Sequence, residues 1–149
     1  MDEALLRALG DEVLRLSGRR LATLPGSRLD SSAFRILWRL EESGPLTLRE
    51  LAEQLQLEQS TINRQVNSAI KHGLVERVPV PGRAGNPVRP TGAGREAYRH
   101  DGLLRAEVMG RAIADLGPGR ARDMVDALRA FNDAVDRVHP PEGEDAQST

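Results

Sequence analysis

The chain has 149 residues, of which 39% are hydrophobic but only 3% aromatic, and its formal net charge is −1. It has no cysteine, which excludes disulfide bonds, thiolate metal sites and cysteine-based redox sensing. No apolar run approaches the ~20 residues that cross a bilayer, and residues 1–4 lack the basic start of a signal peptide. We therefore expect a cytoplasmic protein without a membrane partner, whose core consists of aliphatic side chains on packed helices.

Two helices are predicted in the first third of the chain. Residues 2–23 show an approximate helical repeat of apolar positions, and Pro25 and Gly26 stop it. Ser31 and Ser32 are placed to cap a second helix, which ends near Gly44. The apolar side chains expected on these helices are Leu5, Leu6, Leu9, Val13, Leu14, Leu16 and Leu21, then Phe34, Leu37, Trp38 and Leu40, with Trp38 in the core.

A pair of short helices follows. Thr47 and Glu50 have the spacing of a capping box, which predicts a short helix through about residue 54. A further helix is predicted to begin at Gln59 or Ser60 and to run to about residue 72. Gly73 is suited to end it, because glycine readily adopts the left-handed conformation found after helices.

The remaining elements are a hairpin and two longer helices. Residues 74–80 and 86–90 read as strands joined by a turn-rich loop, and their prolines predict a short, exposed hairpin. Helical periodicity returns from Thr91 and is interrupted at residues 117–119. The tail, residues 139–149, is expected to be disordered because it is rich in proline, acidic and small residues.

The paired short helices have the pattern of a helix-turn-helix. Ala52 is the small residue required where the helices meet, and Leu51, Leu55, Ile62, Val66 and Ile70 are the apolar residues that lock them together. The front of the second helix then carries side chains suited to base edges and phosphates, namely Gln59, Ser60, Thr61, Asn63, Arg64 and Gln65. An ordinary polar helix face in a helical bundle is the alternative explanation.

The charge distribution points to the same region. Residues 59–95 contain six basic residues and one acidic residue, a net charge of +5, which leaves −6 for the rest of the chain. Such an asymmetry is informative about partners even when the total charge is near zero. The further candidates for DNA contact are Lys71, Arg77, Arg83 and Arg89. A solvated charged face is the alternative interpretation.

Over residues 31–98 the sequence resembles the MarR (multiple antibiotic resistance regulator) family of winged helix-turn-helix transcription regulators. The matching segments, in order, are Leu46–Thr47, Glu50–Ala52, Ser60–Arg64, Gly73–Arg77 and Val88–Gly94. The resemblance implies a mainly α fold with a small β wing and flanking N- and C-terminal dimerisation helices. It also implies a homodimer on a pseudo-palindromic site in double-stranded DNA, controlled by a small-molecule effector.

The wing departs from the family pattern. The family commonly has Asp-x-Arg seven to nine residues before the threonine that closes the hairpin, and here these positions are Gly82, Arg83 and Ala84. The Asp is missing and the arginine is displaced by one position. Arg83 is still the first candidate for wing contact with DNA, but without the acidic anchor we expect it to be more mobile and to lose more entropy on binding.

These observations predict three regions: a DNA-binding domain at residues 28–97, a helical dimerisation region at residues 1–27 and 98–138, and the tail. No catalytic constellation can be assembled and the histidines are scattered, so we expect neither an enzyme nor a metal or other cofactor. The alternative function is a winged-helix protein–protein interaction module whose basic face binds an acidic partner without sequence-specific DNA binding.

Overall fold

A computed structural model describes residues 1–18 and 23–140 of the chain. In order, the described elements are α1 (Glu3–Gly18), α2 (Ser31–Ser43), α3 (Leu48–Leu55), α4 (Gln59–Lys71), β1 (Val75–Arg77), β2 (Val88–Pro90), α5 (Gly92–Leu116) and α6 (Pro118–Val138). The predicted fold class, mainly α with a small β wing, is confirmed. The end of the first predicted helix, with Leu21, and most of the predicted tail lie outside the described residues. No described helix is long and apolar enough to cross a membrane.

The core lies between α2, α3, α4 and the hairpin. Its fully buried side chains include Ile36, Leu37, Leu51, Ile62, Val66, Val75 and Val88. The predicted apolar faces of the helix-turn-helix are therefore the faces that pack. Trp38 was expected in this core, but that expectation is wrong: the side chain is 43% exposed, and its Nε1–H donates to Glu42 on the outer face of α2.

The helix starts show one correction and one confirmation. Asp30, rather than Ser31 or Ser32, is the N-cap of α2, because its carboxylate accepts the N–H of Ala33 at 2.8 Å. Ser31 and Ser32 are already the first two helical residues. At α3, Thr47 and the side chain of Glu50 form the predicted capping box.

The hairpin is shorter than predicted. Antiparallel pairing joins Val75 to Pro90 and Arg77 to Val88, and beyond it only one further backbone bond, from Val78 N–H to the Pro87 carbonyl, extends toward the loop. Prolines before and after these residues have no N–H to donate, so the ladder cannot continue. Val88 also exchanges two backbone hydrogen bonds with Leu46, which ties the wing to the segment before α3.

A compact junction joins the end of α4 to the start of α5. Gly73 adopts a φ of +70° and ends α4, and its carbonyl accepts the Thr91 hydroxyl at 2.5 Å. Thr91 caps α5 through Gly94 N–H, while the Thr91 N–H donates to the Leu74 carbonyl at 3.0 Å. A Cβ on Gly94 would lie 1.9 Å from that carbonyl oxygen, so only glycine permits this approach.

The buried carboxylate of Asp101 fixes α5 to the segment before α2. Its oxygens accept the backbone N–H groups of Arg28 and Leu29, both at 2.9 Å, and it lies 3.0 Å from His100 Nδ1. Arg105 lies 4.0 Å away and stacks over the ring of Phe34. The first half of α5, as far as Arg105, therefore packs against α2 and the segment before it.

The other long helical segments leave their apolar side chains exposed. The exposed set is Leu5, Leu6, Leu9, Val13, Leu14 and Leu16 on α1; Leu103, Val108, Met109 and Ile113 on α5; and Met124, Val125, Leu128, Phe131, Val135 and Val138 on α6. Leu14 is 71% exposed and Phe131 43%. In the described single chain, these apolar side chains are not covered by other parts of the chain. An apolar surface of this extent is typical of an interaction site.

Candidate nucleic-acid interface

The face of α4 opposite the core presents most of the predicted base-reading residues. Because Ile62, Val66 and Ala69 are buried, the helix turns its other side to solvent. The exposed members of the predicted set are Gln59, Ser60, Asn63 and Arg64, whereas Thr61 and Gln65 are half-buried at the edge of this face. The structure therefore brings all six together on one helix, with four of them exposed to solvent.

Two amides of this face are bonded to each other. The Gln59 Nε2 group donates to Asn63 Oδ1 at 2.9 Å, one helical turn apart. An amide that is already paired is held in one orientation, which fixes the donor and acceptor atoms that it offers to a base. The bond uses one N–H of Gln59 and leaves its other N–H and the Asn63 amide N–H groups available.

The start of α4 leaves backbone donors without a side-chain cap. Glu58 is the N-cap residue, and its side chain makes no capping hydrogen bond. The first backbone N–H groups of the helix therefore stay available to a phosphate oxygen, a partner that also complements the helix dipole.

Residues 59–95 present fewer unpaired positive charges than the sequence suggested. Within the described part of the chain, Arg64 and Lys71 make no hydrogen bond or ion pair, and Arg77 contacts only the amide oxygen of Asn67, at 3.5 Å. The remaining three cations are each paired with an acid: Arg83 with Glu50, Arg89 with Glu76 and Arg95 with Glu41. Two of those acids lie outside the basic segment, so a count along the sequence could not include them.

Arg83 is anchored, contrary to the expectation from the missing Asp. Its Nη2 lies 2.6 Å from both carboxylate oxygens of Glu50, and its Nη1 donates to the Pro45 carbonyl at 3.1 Å. The wing arginine therefore rests against the start of α3. Sequence reasoning assigned Glu50 only a capping role, and a contact across 33 residues leaves no local signal.

The local environment keeps Glu50 ionised. The pKa of its carboxyl is lowered, mainly by the backbone N–H of Thr47 and also by the Thr47 hydroxyl and Arg83, against a smaller opposing effect of burial. The carboxylate thus meets the Arg83 guanidinium as a full negative charge.

Two clefts adjoin the helix-turn-helix. One, of about 730 Å³, lies between the α3–α4 turn and the end of α6, with Leu57 and Thr61 on one wall and Val135 and His139 on the other. The second, of about 510 Å³, lies between the start of α2 and α4, and Arg64 and Gln65 are among its lining residues.

Comparison with known proteins agrees with the resemblance seen in the sequence. Residues 29–84 match the model of the MarR family. Among curated proteins, none matches the sequence at a significant level. The MarR resemblance predicted from the sequence is thereby confirmed over the helix-turn-helix and the first part of the wing.

Solved structures of similar fold cover nearly the whole chain. A MarR family protein from Bacillus stearothermophilus is 23% identical, with a TM-score of 0.68 over 89% of this chain and 91% of that one. RV1404 from Mycobacterium tuberculosis is 24% identical, with a TM-score of 0.69 over 90% and 94%. Staphylococcus aureus MarR, in complex with salicylate and kanamycin, is 14% identical, with a TM-score of 0.73 over 91% and 95%. At these identities the likeness is one of fold.

Proposed function

From the MarR-family sequence carried by residues 29–84, we propose that this chain is a sequence-specific DNA-binding transcription regulator. The observation that carries the proposal is the solvent-facing side of α4, where an unpaired arginine stands among hydroxyl and amide side chains. An α-helix fits the major groove, and these groups match the donors and acceptors of base edges.

The contacts divide into two kinds. Asn63 and Arg64 are proposed to read bases, with Gln59, Ser60, Thr61 and Gln65 around them in contact with bases or phosphates. The remaining cations, Lys71 in the last turn of α4 and Arg77, Arg83 and Arg89 in the hairpin, are proposed to contact the phosphate backbone, with Arg83 as the wing residue nearest the minor groove. Since Arg89 is paired with Glu76, we assign it the weakest contribution.

We further propose that the active species is a homodimer on a pseudo-palindromic operator. Residues 28–97 form the DNA-binding domain, and residues 1–27 and 98–138 form the dimerisation region. Support comes from the apolar side chains that α1, α6 and the later turns of α5 leave exposed in the single chain. A second copy burying these faces would place two α4 helices on half-sites about one helical turn apart.

A small-molecule effector is proposed for the cleft between the α3–α4 turn and α6. That cleft borders both the DNA-binding lobe and the proposed dimerisation region. A ligand that binds more tightly at one separation of the two would shift the spacing of the reading helices, and thereby DNA affinity.

Selection from genomic DNA tests the proposal. Purified protein is incubated with fragments of its source genome at about 150 mM salt, and the retained DNA is sequenced and checked by gel shift against random DNA. We expect enrichment of fragments that share a pseudo-palindrome. Equal binding to selected and random DNA would refute the proposal. Salt-resistant association with a protein partner instead would favour the protein–protein module.

A further inference from the structure

The loop of the wing is docked onto the start of α3. Arg83 reaches back to the Pro45 carbonyl and to the Glu50 carboxylate, at 3.1 and 2.6 Å. Gly85 lies so near Thr47 that a Cβ on it would sit 3.4 Å from the Thr47 methyl group. The wing tip is therefore held by the chain segment that precedes α4, in addition to the turn bond from the Arg83 N–H to the Val80 carbonyl at 3.1 Å.

The carboxylate that holds Arg83 is itself fixed. Glu50 Oε2 accepts the Thr47 N–H at 2.7 Å, and the Thr47 hydroxyl accepts the Glu50 N–H at 3.2 Å. These reciprocal bonds restrict the Glu50 side chain to one position at the first turn of α3. A guanidinium bonded to so restricted an acid has fewer conformations to lose than one on a free loop.

We propose that Glu50 is a positioning residue for the wing: it fixes Arg83 relative to α4 and replaces the acid that the wing's own sequence lacks. The inference rests on the proposed DNA-binding function and adds a residue to it. Arg83 retains further N–H groups for a DNA acceptor while it is held. Glu50 thus contributes to DNA binding through Arg83 alone.

Substituting Glu50 by Gln separates its two roles. Glutamine also completes a capping box, so Glu50→Gln keeps the start of α3 but removes the charge that binds Arg83. Glu53→Gln is the matched control, because it removes the same charge from the same helix, where Glu53 pairs with Arg49 and not with the wing. Thermal unfolding followed by circular dichroism verifies that each variant is folded.

The decisive measurement is a double-mutant cycle on affinity for a DNA fragment that the wild type selects. Glu50→Gln and Glu53→Gln are each measured with Arg83 present and with Arg83→Ala. With Arg83 present, we expect Glu50→Gln to bind about two- to fivefold more weakly than Glu53→Gln, the range typical of losing one exposed ion pair. With Arg83→Ala, the two Gln variants should bind alike.

Two outcomes of the cycle overturn the inference. If Glu50→Gln has the same effect with and without Arg83, Glu50 does not act through the wing arginine. If Glu50→Gln strengthens binding only when Arg83 is present, the ion pair keeps Arg83 away from DNA instead of positioning it. A wild type that selects no DNA refutes the proposed function and this inference together, whereas selective binding with an additive cycle refutes only the inference. The Arg83 Nη–H resonances in the free protein should shift between wild type and Glu50→Gln, and unchanged resonances would mean that the pair does not form.

Discussion

Arg64 and Lys71 differ in what their positions allow. Both are cations of α4 without an ion pair in the described chain, but Arg64 is on the exposed front beside Asn63, and Lys71 is in the last turn. Arginine can form two parallel hydrogen bonds with a guanine edge, whereas a lysine at the helix end meets phosphate as a point charge. Truncating Arg64 should therefore reduce sequence selectivity, whereas truncating Lys71 should reduce affinity for all DNA.

Arg64→Ala should weaken binding to the selected operator by about tenfold or more while changing binding to random DNA much less, because a base contact is lost. Lys71→Ala should weaken binding to both by a similar factor and reduce the salt dependence, because a phosphate contact is lost. Gel shifts at several salt concentrations measure both. Unchanged selectivity in Arg64→Ala would mean that another residue reads the base.

Asp101 carries a prediction about stability and pH. Burial raises the pKa of its carboxyl, but the N–H groups of Arg28 and Leu29, the contact with His100 and the charge of Arg105 together lower it below its ordinary value of 3.8. A pKa that is lower in the folded state means that ionised Asp101 stabilises the fold. This stabilisation is complete above the unfolded-state pKa and is lost as the pH falls through the lower folded-state pKa.

Asp101→Asn should lower the free energy of unfolding by about 2 kcal/mol at pH 7, since an amide cannot accept both backbone N–H groups as the carboxylate does. The difference in the free energy of unfolding between wild type and variant should become smaller below pH 3.8. Urea unfolding at pH 7 and pH 3 measures it. Asp115→Asn, an exposed position of the same helix, is the control and should change stability by under about 0.5 kcal/mol. The same difference in unfolding free energy at both pH values would contradict the stabilising role of ionised Asp101.

Contacts within a few residues could be predicted from the sequence, and distant ones could not. The capping box of Thr47 and Glu50 follows from a spacing of three residues, and Gly73 from the end of an apolar repeat. The pairing of Arg83 with Glu50 depends on how the hairpin folds back onto α3, which no local pattern encodes. The same limit explains why the basic segment looked more positive than it is.

At the scale of elements, the helix periodicities were reliable and the ends less so. α3, α4, α5 and α6 lie where their apolar repeats predicted them. The start of α2 was misplaced because Asp30, Ser31 and Ser32 are all good capping residues, and the sequence does not show which one adopts the extended conformation. The strands came out shorter because proline removes ladder donors at positions that only the folded register reveals.

Asp30→Ala should destabilise the protein by about 1 kcal/mol, because the N–H of Ala33 loses its side-chain acceptor. Ser31→Ala and Ser32→Ala, at helical positions, should each cost less than about 0.5 kcal/mol. Chemical denaturation of the three variants measures the difference. If Ser31→Ala lowered the stability as much as Asp30→Ala, Ser31 rather than Asp30 would be the N-cap of α2.

At the scale of the whole molecule, the proposed dimer depends on the exposed apolar faces of α1, α5 and α6. Phe131→Glu places a charge in the apolar face of α6 and should convert the dimer to monomer. Operator affinity should then fall by at least about tenfold, because the two half-sites are bound independently. Ala130→Glu adds the same charge about 100° around the helix from Phe131, outside the exposed apolar set, and should leave the dimer intact. Sedimentation velocity measures the state. A wild type that is monomeric at micromolar concentration would refute the dimer.

The junction of Gly73, Leu74, Thr91 and Gly94 has a mechanical consequence. The hairpin separates α4 from α5 in the sequence. In space, the hydrogen bonds and the glycine contact of the junction connect the residues directly after α4 to the first turn of α5. α5 is 25 residues long, so about 37 Å of rigid rod extends from this joint into the proposed dimerisation region. If α4 and α5 turn as one body about this junction, a tilt of α5 by about 3° would move the far end of α4, which is about 20 Å long, by about 1 Å, and the junction would be the pivot of that movement.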